Sequence, residues 1–400
     1  MNEFDIAVAG AGLAGSLAAL ALADSGRRVA LVAPPARAHD GRTTALMDQS
    51  IAFLKTLGLW GEVERHAAPL ETMQILDGTA RLLRAPPVAF RASEVGLAAF
   101  GYNIPNAPFI GILEERIAAH TGIARVSAGV TAATAFDGHV ELTLDDGGRA
   151  AARLVVGADG RRSRIRESAG IGVSAWSYPQ SALVLNFAHE RPHGNVSTEF
   201  HTESGPFTQV PLPGRRSSLV WVLPPAEAER LRRLDAETLG RAVETRMQSM
   251  LGKVTVEGAV QAFPLSGMTA DRFGKGRIAL VGEAAHAFPP IGAQGLNLSL
   301  RDIMALVELV RRGDAPEAIG DRFNRRRQAD VRSRTASVDL LNRSLLSDFL
   351  PVQVLRSAGL HLLSVLGPLR SVVMREGIEP GGSLRALRDG LRERIGRQQA

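Results

Sequence analysis

Phe4-Asp5-Ile6-Ala7-Val8-Ala9-Gly10-Ala11-Gly12-Leu13-Ala14-Gly15 opens the chain with a short apolar run that stops on a glycine and continues as G-x-G-x-x-G. A run this short and this apolar, bounded by glycine, reads as a strand buried on both faces. Residues 13–23 then read as a helix ended by Gly26, and residues 29–33 as the next strand, which together make a β-α-β unit. Glycines at 10, 12 and 15 permit a tight turn and the close approach of a pyrophosphate, which the free N–H groups and dipole of the helix start stabilise. With 41 glycines in 400 residues, such a pattern arises by chance about 0.4 times per chain. Its placement between strand and helix is what makes it informative, and by itself it leaves NAD, NADP and FAD all open.

A dinucleotide site usually carries an acidic residue at the end of the second strand, to bind the adenosine ribose. Ala33 stands there instead, which weakens a pure NAD reading and passes the ribose contact to another group. Arg42, in Asp40-Gly41-Arg42-Thr43-Thr44-Ala45-Leu46, is a candidate for the phosphate or ribose contacts nearby. Residues 6–23 form an uncharged run that imitates a signal peptide. Glu3 and Asp5 precede it where an export signal carries Lys or Arg, and its glycines would weaken an apolar helix, so it is read as part of the fold.

Composition narrows the chemistry. The chain has no cysteine, which excludes disulfides, thiolate metal sites, iron–sulfur clusters and cysteine nucleophiles; redox chemistry must come from a bound cofactor. The net charge of +6 rests almost wholly on arginine, since Lys55, Lys253 and Lys275 are the only lysines. Eight arginines lie between Arg311 and Arg334, and five among the last twenty residues. They read either as a solvated helix face or as contacts with an anionic membrane surface. Aromatic residues make up 5% of the chain and are scattered, so no nucleic-acid platform is expected. No uncharged run elsewhere is long enough to span a bilayer.

The texture of the chain changes twice. Turn signals at Asp137-Gly138 and Asp145-Asp146-Gly147-Gly148 flank an alternating segment, 139–144, which reads as part of a small antiparallel element. From 176 to 264 strand-like runs such as 182–188 and 218–223 dominate, interrupted by prolines and one polar helix near 226–251. Buried-strand character resumes at 277–281, and 294–312 reads as a helix. The remainder to Ala400 is helical in pattern, with breaks at Pro351, Gly367-Pro368 and residues 377–382. The expected segments are 1–72, 101–175 and 269–345 for a nucleotide-binding domain, 73–100 and 176–268 for a strand-rich domain, and 346–400 for a C-terminal helical region.

Two further stretches carry the identification of the cofactor. One is Leu154-Val155-Val156-Gly157-Ala158-Asp159-Gly160-Arg161-Arg162-Ser163-Arg164-Ile165-Arg166, in which a buried strand delivers an Asp into a glycine turn followed by basic residues. The other is Arg277-Ile278-Ala279-Leu280-Val281-Gly282-Glu283-Ala284-Ala285-His286-Ala287-Phe288-Pro289-Pro290-Ile291-Gly292-Ala293-Gln294-Gly295-Leu296-Asn297-Leu298. These resemble the Gly-x-Asp-Gly and Gly-Asp-Ala-Ala-His signatures of FAD-dependent flavoprotein hydroxylases of the para-hydroxybenzoate-hydroxylase-like family. Glu283 replaces the usual Asp, which keeps the acceptor chemistry but changes its reach. Shorter matches at 42–46, 57–60, 100–106, 176–178, 191–194 and 218–221 point to the ubiquinone-biosynthesis branch, and the resemblance covers about residues 3–380.

That resemblance implies an α/β fold: a Rossmann-like FAD-binding domain, an inserted strand-rich substrate domain and C-terminal helices. The implied FAD-binding residues are Gly10, Ala11, Gly12, Leu13, Ala14, Gly15, Arg42, Asn106, Asp159, Gly160, Gly282, Glu283, Pro289, Gln294, Gly295, Leu296 and Asn297. The helix after Gly295 would point its N-terminus at the flavin ring, where the dipole favours the charge of the reduced form. The implied reaction is hydroxylation of the aromatic ring of a polyprenylated phenol by dioxygen through a flavin hydroperoxide. Flavin carries the chemistry while the protein orients and keeps the site dry. No side chain is assigned as acid, base or nucleophile, no metal is implied, and His286 is read as structural rather than as a proton carrier.

No second glycine-rich nucleotide fold is visible, so the reductant is NAD(P)H bound transiently or a protein electron donor. Other quinone-biosynthesis proteins are possible partners. Residues 357–369 and the arginine-bearing tail suggest peripheral contact with the cytoplasmic side of the inner membrane. The rival readings are a hydroxylase of a soluble aromatic compound and a non-catalytic FAD-binding subunit of a quinone-synthesis complex.

Overall fold

A computed structural model describes residues 3–35, 41–79, 86–289 and 294–346, with the backbone alone for 294 and 332–346. The strand Glu3–Ala9 lies at the centre of the first sheet, parallel to Arg149–Gly157 on one side and to Val29–Val32 on the other. Ile6 to Ala9 are buried, as a central parallel strand covered on both faces requires. The helix Leu13–Ala23 is apolar nearly all round because it packs against the sheet and against the helices Asn106–Ala119 and Gln294–Arg311. The uncharged run 6–23 is therefore a core strand followed by a core helix.

The first sheet runs Gly274–Lys275, Ile278–Leu280, Arg149–Gly157, Glu3–Ala9, Val29–Val32, Ile123–Val126. An antiparallel flap of Val130–Ala135 and Val140–Leu144 leans on Arg149–Gly157. Register decides where the site falls. Ala9 pairs with Gly157, and Gly157 with Leu280, so three parallel strands from distant parts of the chain end side by side. In open α/β sheets ligands bind at these carboxyl ends.

The second sheet is built mainly from Thr72–Asp77, Val88–Arg91 and strands within 173–270 and is mostly antiparallel. One face buries Leu183, Leu185, Phe187, Leu219, Trp221 and Leu223 beneath two helices. The single polar helix expected near 226–251 is in fact two, Pro225–Arg232 and Ala236–Arg246. Asp235 separates them: its carboxylate accepts from the Thr238 N–H at 2.8 Å and caps the second helix. The opposite face carries Tyr178, Ala182, Val184, Val220, Val222 and Leu265, and turns toward the part built on the first sheet. On that face Ser218 Oγ accepts from Thr43 Oγ1 at 3.1 Å and from Asn103 Nδ2 at 3.2 Å. The chain thus leaves the first sheet, builds the second, and returns, giving an α/β fold with an inserted strand-rich part. Helices Gln294–Arg311 and Pro316–Leu346 complete the first part; the helical reading of 347–400 lies outside the described residues.

Candidate functional site

Three turns meet at the carboxyl ends of the aligned strands. Gly10 has φ +105°, and a Cβ built on it would lie 2.3 Å from the carbonyl oxygen of Ala158, so the first turn rests directly on the second. A Cβ on Gly282 would lie 3.1 Å from the Ala14 Cβ, so the third turn touches the first helix. Arg166, 9% exposed, joins the second turn to the third: its Nη1 donates to Ala284 O and its Nη2 to Arg161 O, each at 2.8 Å. Arg161 also faces Glu283 across 3.7 Å.

The groups at this junction suit a dinucleotide. Gly12 has nothing within 4 Å of a built Cβ, in contrast to Gly10 and Gly15. The helix that follows starts without a side-chain cap, so its first-turn N–H groups remain available to an anion. Asp159 Oδ2 accepts from the N–H groups of Arg164 at 2.7 Å and Ile165 at 3.2 Å, which fixes the carboxylate. Its Oδ1 is buried with no protein partner. A buried acceptor left unmatched is costly, and a ribose hydroxyl would satisfy it. Glu283, the carboxylate of the third turn, is largely exposed at 56%, placed beside the open edge rather than in the core. Gly160 follows Asp159 at φ +83°.

Arg42 and Asn106 form a second group. The Asn106 N–H donates to Arg42 O at 2.9 Å, and Asn106 Oδ1 accepts from Thr44 Oγ1 at 2.7 Å. Asn297 belongs with them: its Oδ1 accepts from the Met47 N–H at 2.9 Å and Ser50 Oγ at 2.6 Å, and its Nδ2 donates to Ala45 O at 2.8 Å. Its side chain therefore staples the helix Gln294–Arg311 to the strand Thr43–Met47. Pro289 is buried, Leu296 half-buried and Gly295 exposed, while residues 290–293 and the side chain of Gln294 lie outside the described residues. At Ala33 the methyl is buried and the N–H donates to Val126 O, so this position offers the ribose no side-chain acceptor.

Asp302, Arg327 and Arg166 are polar residues of the site that sequence reasoning does not single out. His286, 2% exposed, pairs through Nε2 with Asp302 Oδ2 at 2.6 Å, and Arg327 Nε donates to Asp302 Oδ1 at 2.7 Å. The arginine-rich segment is thus not wholly a solvated face, because Arg327 is 5% exposed. Burial works against its charge, yet the carboxylates of Asp302 and Asp330 outweigh that and hold its pKa above the ordinary arginine value. A signal existed in the pattern: Asp302 is an acid set among Leu298, Leu300, Ile303 and Leu306, all buried. Arg166 has a weaker one, since nothing separates it locally from the exposed Arg162 and Arg164. No cluster of metal-ligating side chains occurs among the described residues.

A glycine turn, an Asp turn and a carboxylate-bearing loop, converging at the open edge of a parallel sheet beside a strand-rich partner sheet, define an FAD-binding flavoenzyme. Comparison with known proteins agrees. The family described as FAD binding domain matches residues 3–337. Ubiquinone hydroxylase UbiL of Rhodospirillum rubrum is 34% identical over 94% of this chain and 89% of its own. The 3-demethoxyubiquinol 3-hydroxylase of Escherichia coli is 32% identical over 93% of this chain and 97% of its own. Among solved structures, Klebsiella pneumoniae HpxO complexed with FAD and uric acid superposes with a TM-score of 0.76 at 18% identity, covering 93% of this chain and 96% of that one, which supports the fold. The chain belongs to the FAD-binding-domain family of FAD-dependent monooxygenases, in the group that includes the ubiquinone hydroxylases.

Proposed function

We propose that this flavoenzyme hydroxylates the aromatic ring of a polyprenylated phenol in ubiquinone biosynthesis. The observation that carries the reading is the apolar sheet face of Tyr178, Ala182, Val184, Val220, Val222 and Leu265. Its strand Val254–Ala270 pairs directly with the flavin loop, Met268 with Ala287 and Thr269 with His286. A wall of this kind stabilises an apolar ring and the base of its prenyl chain by about 25 cal/mol per Å² of apolar surface removed from water. It also excludes water from the reacting ring. The names of the two relatives, both hydroxylases of ubiquinone chemistry, agree with it.

Bound FAD supplies the activation of dioxygen and the oxygen transfer. The residues of the chain bind and orient it. The first turn of Leu13–Ala23 takes the pyrophosphate, Asp159 a ribose hydroxyl, and Glu283 the ribityl chain, with Arg42 and Asn106 on the adjoining side and the loop from Pro289 to Asn297 against the ring. NAD(P)H or a protein donor provides electrons. No helix among the described residues is long and apolar enough to cross a membrane, and we place the protein at the cytoplasmic face of the inner membrane through residues 357–369 and the arginine-bearing tail. The domain limits proposed are those read from the sequence, with residues 73–100 and 176–268 as the substrate part.

The test is turnover. Protein reconstituted with FAD and supplied with reductant and dioxygen should convert a short-chain prenylated phenol to the product one oxygen heavier, seen by mass spectrometry. It should turn over a non-prenylated analogue poorly. Equal turnover of both would refute the prenyl reading, and reductant consumption without hydroxylated product from any phenol would refute the ring chemistry.

A further inference from the structure

The Asp302 carboxylate, 1% exposed, serves three donors from two parts of the chain, the turn 282–286 and the helix Pro316–Leu346. Oδ2 accepts from the backbone N–H of Gly282 at 3.2 Å and pairs with His286 Nε2 at 2.6 Å. Oδ1 accepts from Arg327 Nε at 2.7 Å, and Arg327 Nη1 donates onward to Asp330 at 2.5 Å. Gly282 and His286 are the two ends of the five-residue turn that carries Glu283. One carboxylate therefore grips both ends of the flavin-binding turn from behind. His286 in turn stacks on Phe288, with ring centroids 5.5 Å apart and planes 23° from parallel, which extends the hold to the residue before Pro289.

Stability alone is a poor explanation for this cluster. A buried ion pair often does no better than well-packed apolar side chains of the same volume, because desolvation offsets the attraction. What apolar packing cannot supply is direction: a carboxylate accepting along fixed lines sets the backbone at Gly282 and the ring at His286 together. The third donor comes from the separate helix Pro316–Leu346. We propose that Asp302 is the positioning residue of the flavin turn, setting Gly282–His286 and hence Glu283 against the flavin, and that Arg327 makes this setting depend on the helix Pro316–Leu346. The inference rests on the flavin lying along Gly282 and Glu283, and not on which ring is hydroxylated.

Asp302→Asn keeps the shape but exchanges one acceptor oxygen for an NH₂ donor. If the NH₂ replaces Oδ2 it faces Gly282 N–H and His286; if it replaces Oδ1 it faces Arg327. Either way one hold is lost. In the full-length protein loaded with FAD, three readouts separate positioning from mere stability: FAD affinity, the visible circular dichroism of the bound flavin at saturation, and apoprotein melting temperature. Asp302→Asn should weaken FAD binding on the order of tenfold, because a turn no longer held at both ends presents Gly282 and Glu283 off line, and should change the flavin dichroism even when saturated. Arg327→Met should move both readouts in the same direction by less, and Arg327→Lys should restore much of the wild-type dichroism. If Asp302→Asn saturates with unchanged affinity and dichroism while only its melting temperature falls, the cluster is packing and the proposal is overturned. Should Asp302→Asn fail to fold, Arg327→Met decides, since it leaves both contacts to the turn in place: wild-type dichroism there would overturn the coupling to the helix Pro316–Leu346. None of these readouts uses the phenol, so a wrong substrate assignment would leave them unchanged.

Discussion

A single methyl group placed on Gly12 should separate folding from cofactor binding. Gly12 sits at φ −73° and ψ −179°, which alanine adopts without strain, and a Cβ there meets nothing within 4 Å. The cost to the apoprotein is the modest preference for Gly over Ala at a helix N-cap, about 0.5–1 kcal/mol. Gly10→Ala is the contrast. Its φ of +105° and the 2.3 Å approach to Ala158 O combine left-handed strain of ~1–2 kcal/mol with overpacking against backbone of ~1–3 kcal/mol. Together these are about 2–5 kcal/mol, a large share of a typical domain's ~5–15 kcal/mol. For FAD the order reverses in interest, because the Gly12 methyl occupies the space through which the pyrophosphate reaches the first-turn N–H groups. Losing one charge-assisted contact costs about 1.5–3 kcal/mol, or roughly 10- to 150-fold in affinity. Thermal melting of FAD-stripped protein, with titration of flavin fluorescence, measures both. A Gly12→Ala protein that melts with the wild type and binds FAD with unchanged affinity would refute the placement of the pyrophosphate.

Asp159→Asn should weaken FAD binding by on the order of 10-fold or more, by removing the charge from the unpartnered Oδ1; unchanged affinity would mean that the ribose is held elsewhere. Glu283→Asp should retain FAD, whereas Glu283→Gln should lose affinity; equal binding by the glutamate and glutamine forms would assign the ribityl contact to another group. His189, buried and bonded to Arg191 O at 2.7 Å and Ser217 Oγ at 3.0 Å, has its pKa pushed below the ordinary 6.5, first by burial. The unfolded chain then binds this proton more readily, so the contribution is whole above about pH 6.5 and is lost as pH falls through the interval down to the folded value. Denaturant midpoints should drop between pH 7.5 and 5.5, and less so in His189→Gln; equal drops would clear His189. Removing residues 382–400, which lie outside the described residues, should reduce sedimentation with anionic vesicles, by up to about 1 kcal/mol for each arginine lost, while FAD binding persists. Undiminished sedimentation would place the membrane contact elsewhere.

Local chemistry made much of this protein legible before any coordinates. An apolar run of strand length, a glycine turn and a helix form the first unit because each step depends on neighbours only a few residues away, and the element limits at Leu13–Ala23 and Val29–Val32 fall within a residue of the expectation. The order of the three turns and the return of the chain after the strand-rich insert were readable for the same reason. Contacts between distant segments were not. Asp235 breaks what looked like one polar helix, a decision taken by a cap rather than by periodicity. The side-chain amide of Asn297 bonds to Ala45, Met47 and Ser50, which approach only when the strand Thr43–Met47 lies beside the helix Gln294–Arg311. Arg327 is indistinguishable in sequence from Arg325 and Arg326, which are exposed; helix phase turns it inward, and only the packing of that helix supplies Asp302 as its counter-charge. The residues themselves determined the chain order and the glycine turn suited to a dinucleotide, because glycine conformation and apolar periodicity act locally, while the choice of FAD rested on the resemblance of the Asp159 and Glu283 stretches to a known family. Tertiary structure alone decided which charges are buried and what they hold, because a charge survives burial only where a partner from elsewhere in the chain meets it.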